Sequence, residues 1–329
     1  MASMNVAIIG AGIAGLACAD GLRDDGHVVT LFDKARGPGG RMSTRRMATP
    51  AGEVSFDHGA THFTARGGGF RAQVEMWRAA GCAARWPIAG RDAWVGVPGM
   101  NAPVRAMAAG HDVRWATRVT GIIREGAGWT CLSDEGDHRG FDALVIAIPA
   151  EQAATMLCLQ DFPMARAAMA VESSLCWSVM AAFDRPVAAL PDLIRHQGML
   201  ACAVRNSAKP GRSGPEAWVL QADAAWSRRH GEAQPEAVTD ALLAQLATLS
   251  GQPLPGVVAV AAHRWRYATP SGSFAQALWN PATGLGACGD WLAHGFVELA
   301  WESGRALARQ MAGAINAPPK DRPSGPVAA

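Results

Sequence analysis

Residues 5–33 read NVAIIGAGIAGLACADGLRDDGHVVTLFD, and the order of residue types in this stretch decides the fold. Asn5 to Gly10 is a short apolar run closing on glycine, with the length and composition of a buried parallel strand. Ile13, Leu16 and Leu22 follow at near-helical spacing, and Gly26 stands where the helix should stop. His27 to Asp33 is β-branched and apolar, a second strand. Between the two lie Gly10, Gly12 and Gly15 in the GxGxxG pattern, with Ala14 inside it. The first glycine allows a tight turn, the second lets the backbone approach a pyrophosphate, and the third packs helix on strand. The helix N-terminus then faces the phosphates. Asp33 ends the second strand where an acid accepts hydrogen bonds from an adenosine ribose. A 2′-phosphate is disfavoured at that position, because two anions would meet.

Working outward, 329 residues make room for about two domains around an extensive core. A hydrophobic content of 49% with 18% charged residues excludes disorder, and a net charge of +2 gives no case for nucleic acid or an anionic membrane. The seven cysteines are scattered and odd in number, without the spacing of a zinc knuckle or redox dithiol. No metal is expected, and free thiols in a reducing, cytoplasmic compartment fit best. Val6 to Ala19 resembles a signal-peptide core, but no Lys or Arg precedes Arg23 and glycines interrupt it. No run reaches the length of a membrane span. The tail from Ala317 is rich in Pro and Gly and is expected to be disordered.

Further along, Phe70, Val74 and Trp77 mark an amphipathic helix. Val113–Arg124 and Trp129–Leu132 read as strands of a smaller meander, and Ala143–Ile148 as a buried strand closed by Pro149. Past Glu151 the texture changes, with strands at Ser178–Phe183, Trp218–Ala222 and Val257–Tyr267, and a helix carrying Val238, Leu242, Leu246 and Leu249. Near Leu285–Gly289 the strand-then-glycine texture returns, ahead of a final helix from about Val297 to Met311. The expected architecture is α/β: a discontinuous, FAD-binding Rossmann-type domain with a mixed β-sheet substrate domain inserted. Residues 1–80, 101–150 and 275–316 are assigned to the first, 81–100 and 151–274 to the second, and 317–329 to the tail.

NAD would satisfy the N-terminal unit equally well; FAD is favoured by what lies beyond it. Gly39-Gly40-Arg41-Met42 follows Asp33 closely, with glycines suited to backbone approach and Arg41 suited to clamp a phosphate. Far away, Gly286-Ala287-Cys288-Gly289-Asp290 ends a strand on a Gly-Asp pair, where Asp290 is suited to a polyol such as the ribityl chain. The helix opening at Val297 and Glu298 is placed to aim its positive end at the flavin pyrimidine.

Several stretches carry a resemblance to the bacterial renalases, a branch of the flavin amine oxidase superfamily. They are Gly39–Met42, Asp57-His58-Gly59-Ala60-Thr61-His62-Phe63-Thr64-Ala65-Arg66 and Trp94–Met100. Arg205–Pro210, Trp226-Ser227-Arg228, His263–Ala268 and Cys288–Trp291 continue it, so that it spans residues 4 to about 312. The resemblance implies non-covalent FAD in a fold similar to p-hydroxybenzoate hydroxylase. It also implies oxidation of the 2- and 6-dihydro isomers of NAD(P)H to NAD(P)+, by hydride transfer to flavin N5 with O2 reduced to H2O2. The partners are then a small molecule and O2, with the protein a monomer or weak dimer. It adds Lys34, Ala60, Thr61 and the Val119 backbone to the FAD contacts, and places His62, Arg264, Trp265 and Trp291 at the substrate cavity.

Some positions stay open. His62 stands where the family has an aromatic residue, and reads either as a ring near the flavin or as a hydrogen-bonded buried histidine. With twelve tryptophans, core packing is the alternative for Trp265 and Trp291. Phe296 and Leu299 depart from the family pattern, Leu299 with the potential to narrow the space beside the flavin. Amine oxidases of the superfamily place a lysine against N5 through a water. The three lysines here, Lys34 by the ribose motif, Lys209 in a Pro/Gly loop and Lys320 in the tail, offer no natural equivalent. An oxidase of small amines and a non-catalytic flavin-binding protein are the rival functions.

Overall fold

Val6, Ala7 and Ile8 are wholly buried in the strand Asn5–Ile9, which suits it to the middle of a sheet covered on both faces. The computed structural model, which describes residues 3–187, 190–272 and 275–316, places it there. Val28–Phe32 pairs in parallel on one side, Asn5 opposite Val28 and Ile9 opposite Phe32. Ala143–Ile146 pairs in parallel on the other, Val6 opposite Ala143. Leu285–Ala287 and Asp112–Arg114 extend the sheet outward, both parallel, and Leu278–Asn280 closes one edge antiparallel. The two ends of the chain therefore build one layer. Their helices, Ile13–Asp24 and Val297–Asn316, touch through small residues. A Cβ on Gly304 would fall 2.1 Å from the Ala14 carbonyl oxygen, and one on Gly21 2.5 Å from Ala308 Cβ.

The second unit is a five-stranded antiparallel sheet in the order Leu193–Gln197, Leu200–Arg205, Glu216–Ala222, Ser173–Phe183, Val257–Pro270. One face packs Val179, Ala181, Phe183, Trp218 and Leu220 beneath the helix Pro235–Ser250, through Val238, Leu242 and Leu246. Fully burying such side chains contributes about 1.5–3 kcal/mol each. The opposite face turns towards segment 57–62.

Three expectations are corrected. Residues 113–124 are not one strand: Asp112–Arg114 joins the parallel sheet, and the chain passes Ala116 at φ +59° before Val119–Glu125 begins. That strand forms a three-stranded sheet with Gly128–Ser133 and Gly136–Phe141. The third strand, GDHRGF, carries one buried residue and gave no apolar alternation to detect. Residues 81–100 do not join the antiparallel sheet. Ala83–Arg85 and Ala93–Gly96 pair with Phe63–Thr64, and Trp86, Trp94 and Val95 share a core with Leu16 and Phe70. The helix Gly68–Ala79 buries Phe70, Val74 and Trp77 as its spacing predicts. The last helix runs to Asn316 rather than Met311. The tail 317–329 lies outside the described residues.

Candidate cofactor and substrate site

The GxGxxG turn is tight because backbone fills the places where side chains would go. Gly10 has φ +106°, and a Cβ there would lie 2.5 Å from the Ala147 carbonyl oxygen; a Cβ on Gly15 would lie 2.0 Å from the Gly10 oxygen. Gly12 is different: its Cβ would meet no described atom within 4 Å. A Cβ on Gly40 would meet only the Gly12 Cα, at 3.8 Å. Open space thus lies between the two glycine loops, against a helix N-terminus that no side chain caps. The Asp33 carboxylate is fixed beside it by two backbone donors, Ala11 N and Ala35 N, each at 2.8 Å. Thr117 N bonds the Asp33 carbonyl, which brings the start of Val119–Glu125 alongside. Lys34 is exposed and reaches Gln152 instead (3.4 Å).

Arg41 and Asp290 meet across 249 residues of sequence, Nη2 to Oδ1 at 2.5 Å, while Arg41 Nη1 donates to the Ala268 carbonyl. Each was expected to face a ligand; the structure pairs them with one another. Met42 is buried below, and Ala60 N donates to the Arg41 carbonyl (2.8 Å), so Ala60 and Thr61 lie against the same loop. Gly289 has φ +154° and its N–H reaches Ser303. Val297 opens the last helix, and Glu298 in its first turn accepts from Arg66 N and Gly67 N, tying the turn after Phe63–Thr64 to that helix. Phe296 is 63% exposed and Leu299 half-buried.

The face of the antiparallel sheet that lies against His58 and Gly59 holds a feature not expected from the sequence. Register places Arg195 opposite Cys202, Cys202 opposite Gln221, Gln221 opposite Ser178 and Ser178 opposite His263. Five polar side chains therefore cross the sheet in one row. They lie along segment 58–62: Gln221 Nε2 donates to the Gly59 carbonyl (2.6 Å), and Arg195 Nη2 to His62 Nε2 (3.5 Å). Single polar residues inside apolar runs were the available signal, but only cross-strand register shows that they share a face. Trp265 belongs here, its Nε1 on the His58 carbonyl (2.8 Å) and its ring 5.2 Å from the His58 ring. Arg264, one residue earlier, points to the other face, with Gly231, Glu232 and the Trp177 ring as neighbours. It is removed from the site by the two-residue period of a strand. Trp291 is corrected too: it is 1% exposed in the core with Phe32, Val119 and Leu144, though its indole N–H finds no partner among the described residues.

Burial sets the electrostatics. It holds the His58 imidazole at about 4, helped by neighbouring His263, and His62 at about 4, helped by the positive charges of Arg195 and Lys209. Because arginine only donates, His62 Nε2 is the acceptor, and Nδ1–H donates to Thr61 Oγ1 (3.1 Å). Both rings are neutral at pH 7. Burial also pushes the Cys202 thiol up to about 11 and Cys176 to about 12. Lys209, in its Pro/Gly loop, has no exposed side-chain surface and bonds Asp57 at 2.9 Å. Burial pushes the Asp57 carboxyl up, but Lys209 and Arg212 outweigh it and hold the group at about 2.

The imidazoles predict a pH response. Between about 4 and 6.5 the unfolded chain binds protons at His58 and His62 that the folded chain refuses, so stability rises with pH across that window. The thermal midpoint is expected to fall on going from pH 7 to pH 5, and His58→Gln to shrink the fall. A midpoint unchanged between those pH values would contradict the burial of two neutral imidazoles.

Two clefts of about 350 and about 270 Å³ open around Asn5, Thr30 and Arg114 and around Met4, Asp142 and Thr283; neither includes a predicted site residue. No helix among the described residues is long and apolar enough to cross a membrane.

Comparison with known proteins agrees with this arrangement. Residues 8–86 match an NAD(P)-binding Rossmann-like domain, and residues 87–312 match the flavin containing amine oxidoreductases. The fold is similar to that of cyclohexylamine oxidase from Brevibacterium oxydans IH-35A (TM-score 0.73, 13% identity, 96% of this chain and 100% of that one). It is also similar to putrescine oxidase bound to putrescine (TM-score 0.65, 15% identity, 95% and 99%). A fatty acid isomerase from P. acnes that produces CLA shares it as well (TM-score 0.65, 14% identity, 93% and 98%). At such identities the likeness is one of fold, whereas the family match runs through most of the chain. The chain belongs to the flavin containing amine oxidoreductase family.

Proposed function

We propose that the protein is a renalase-like oxidase with non-covalent FAD, converting the 2- and 6-dihydro isomers of NAD(P)H to NAD(P)+ while O2 becomes H2O2. The observation that carries this reading is the pairing of an open dinucleotide cradle with a substrate face whose imidazoles are neutral. A dihydropyridine is already electron-rich and gives up a hydride without losing a proton first, so its oxidation asks for positioning rather than a strong base.

The residues fit FAD. The space over Gly12 and Gly40 takes a pyrophosphate, Asp33 keeps lone pairs for a ribose, and the orphaned Trp291 N–H offers a donor beside Gly289. We assign the cofactor to 1–80, 101–150 and 275–316, now with 81–100, and the substrate sheet to 151–274. Bound FAD supplies the hydride acceptor at N5 and the route of electrons to O2. Trp265 and His62 are assigned to the substrate, whose planar ring they match by stacking area.

One observation favours the rival reading as an amine oxidase: Lys209, on the loop that follows Asn206–Ala208, has a fully buried side chain. Its ammonium is tied to Asp57, however, which leaves it poorly placed to hold a water for proton transfer. Anaerobic mixing of the holoprotein with 6-dihydroNAD decides the matter. Rapid bleaching by that isomer, with β-NADH and small amines inert, is the expected result. Bleaching by an amine alone, or by neither, overturns the proposed substrate.

A further inference from the structure

The polar row ends at Arg195, whose charge acts on His62 together with that of Lys209. Arg195 is exposed, and its Nη2 donates to the Ala89 carbonyl (3.0 Å) and to His62 Nε2 (3.5 Å). Among the described residues no carboxylate pairs with it, and its Nη1 and Nε reach no protein acceptor. Much of the guanidinium's five-donor fork is therefore available. Behind it stands Trp86, 2% exposed, its ring 5.8 Å from the His62 ring and 5.7 Å from Lys209 Nζ. The Trp86 indole N–H is buried without an acceptor among the described residues. Deeper still, Lys209 and Arg212 share the single carboxylate of Asp57, so one buried positive charge is not matched there. A cationic excess away from water costs free energy that an anion relieves.

We propose that Arg195, oriented by His62 and backed by the charge of Lys209, forms an anion subsite that takes a phosphate of the substrate. The choice of phosphate rests on the dinucleotide reading above. NAD(P)H isomers carry a pyrophosphate distant from the reacting ring, and a guanidinium edge matches two phosphate oxygens at once. His62 acts as a positioning residue: Nδ1–H is committed to Thr61, which leaves Nε2 to hold the guanidinium. A small amine has no group for this subsite, so the same residues would select against it.

The test uses the holoprotein and titrates it with ADP-ribose and with inorganic pyrophosphate by calorimetry. Arg195→Gln, at an exposed position, is expected to weaken ADP-ribose binding about tenfold or more and to raise KM for 6-dihydroNAD in proportion, with a much smaller change in kcat. Raising the salt concentration should weaken the wild type more than the variant. Equal binding of ADP-ribose by both proteins overturns the subsite. The two proposals fail separately. Arg195-dependent binding without bleaching by any dihydro isomer keeps the subsite and removes the substrate. Bleaching with no Arg195 dependence of binding or KM does the reverse.

Discussion

Asp57→Asn is expected to destabilise the protein by about 3–5 kcal/mol, the cost of stripping a buried ion pair of one partner. Asp57 has no exposed side-chain surface, and neither Lys209 nor Arg212 exceeds 2%. All four of its bonds are internal: Oδ2 takes Lys209 and Arg212, and Oδ1 takes Thr44 Oγ1 (2.8 Å) and Met100 N (2.9 Å). An asparagine keeps the shape but leaves two cations without a counter-charge, and its NH2 group must face one donor or another. Lys209→Met should cost much less, because Arg212 still neutralises Asp57. Urea unfolding followed by circular dichroism measures both. A loss at Asp57→Asn no larger than at Lys209→Met would show that the cations do not depend on this carboxylate.

Gly10→Ala should abolish flavin retention, with the purified protein colourless or at least tenfold poorer in flavin than the wild type. Two independent costs coincide at this residue. At φ +106° an L side chain is strained, by roughly 1–3 kcal/mol, and the new Cβ would lie 2.5 Å from the Ala147 carbonyl oxygen. Ala147 follows a fully buried central strand, and its N–H is held by the Ile9 carbonyl (2.8 Å). Relief must come from moving the turn itself, which closes the space over Gly12. A yellow variant with normal flavin content would remove the phosphate from this turn.

The parts of the fold that rest on strong periodicity were legible in the sequence. The β-α-β unit at 5–33, the helix around Val74 and the strand at 143 each carry one face pattern or one continuous apolar run. The strands Leu193–Gln197 and Gly136–Phe141 do not, because both are edge strands rich in polar residues. At the site, glycines and Asp33 were legible because each answers a local backbone demand. The Arg195-to-His263 row was not, since it exists only through pairing between strands far apart in the chain. Arg264 shows the same limit from the other side: its neighbours His263 and Trp265 face segment 58–62, and nothing in the local sequence says which of the three is turned away.

The contact between Ile13–Asp24 and Val297–Asn316 bears on how the protein is made. The dinucleotide motif leaves the ribosome first, yet the strand Leu285–Ala287 and the helix that covers Ala14 and Gly21 leave last. At roughly 5–20 residues per second, the first unit waits about 15–50 s with an apolar helix face uncovered. The helix face around Ala14 and Gly21 is thus completed only after residues 285–316 have been made.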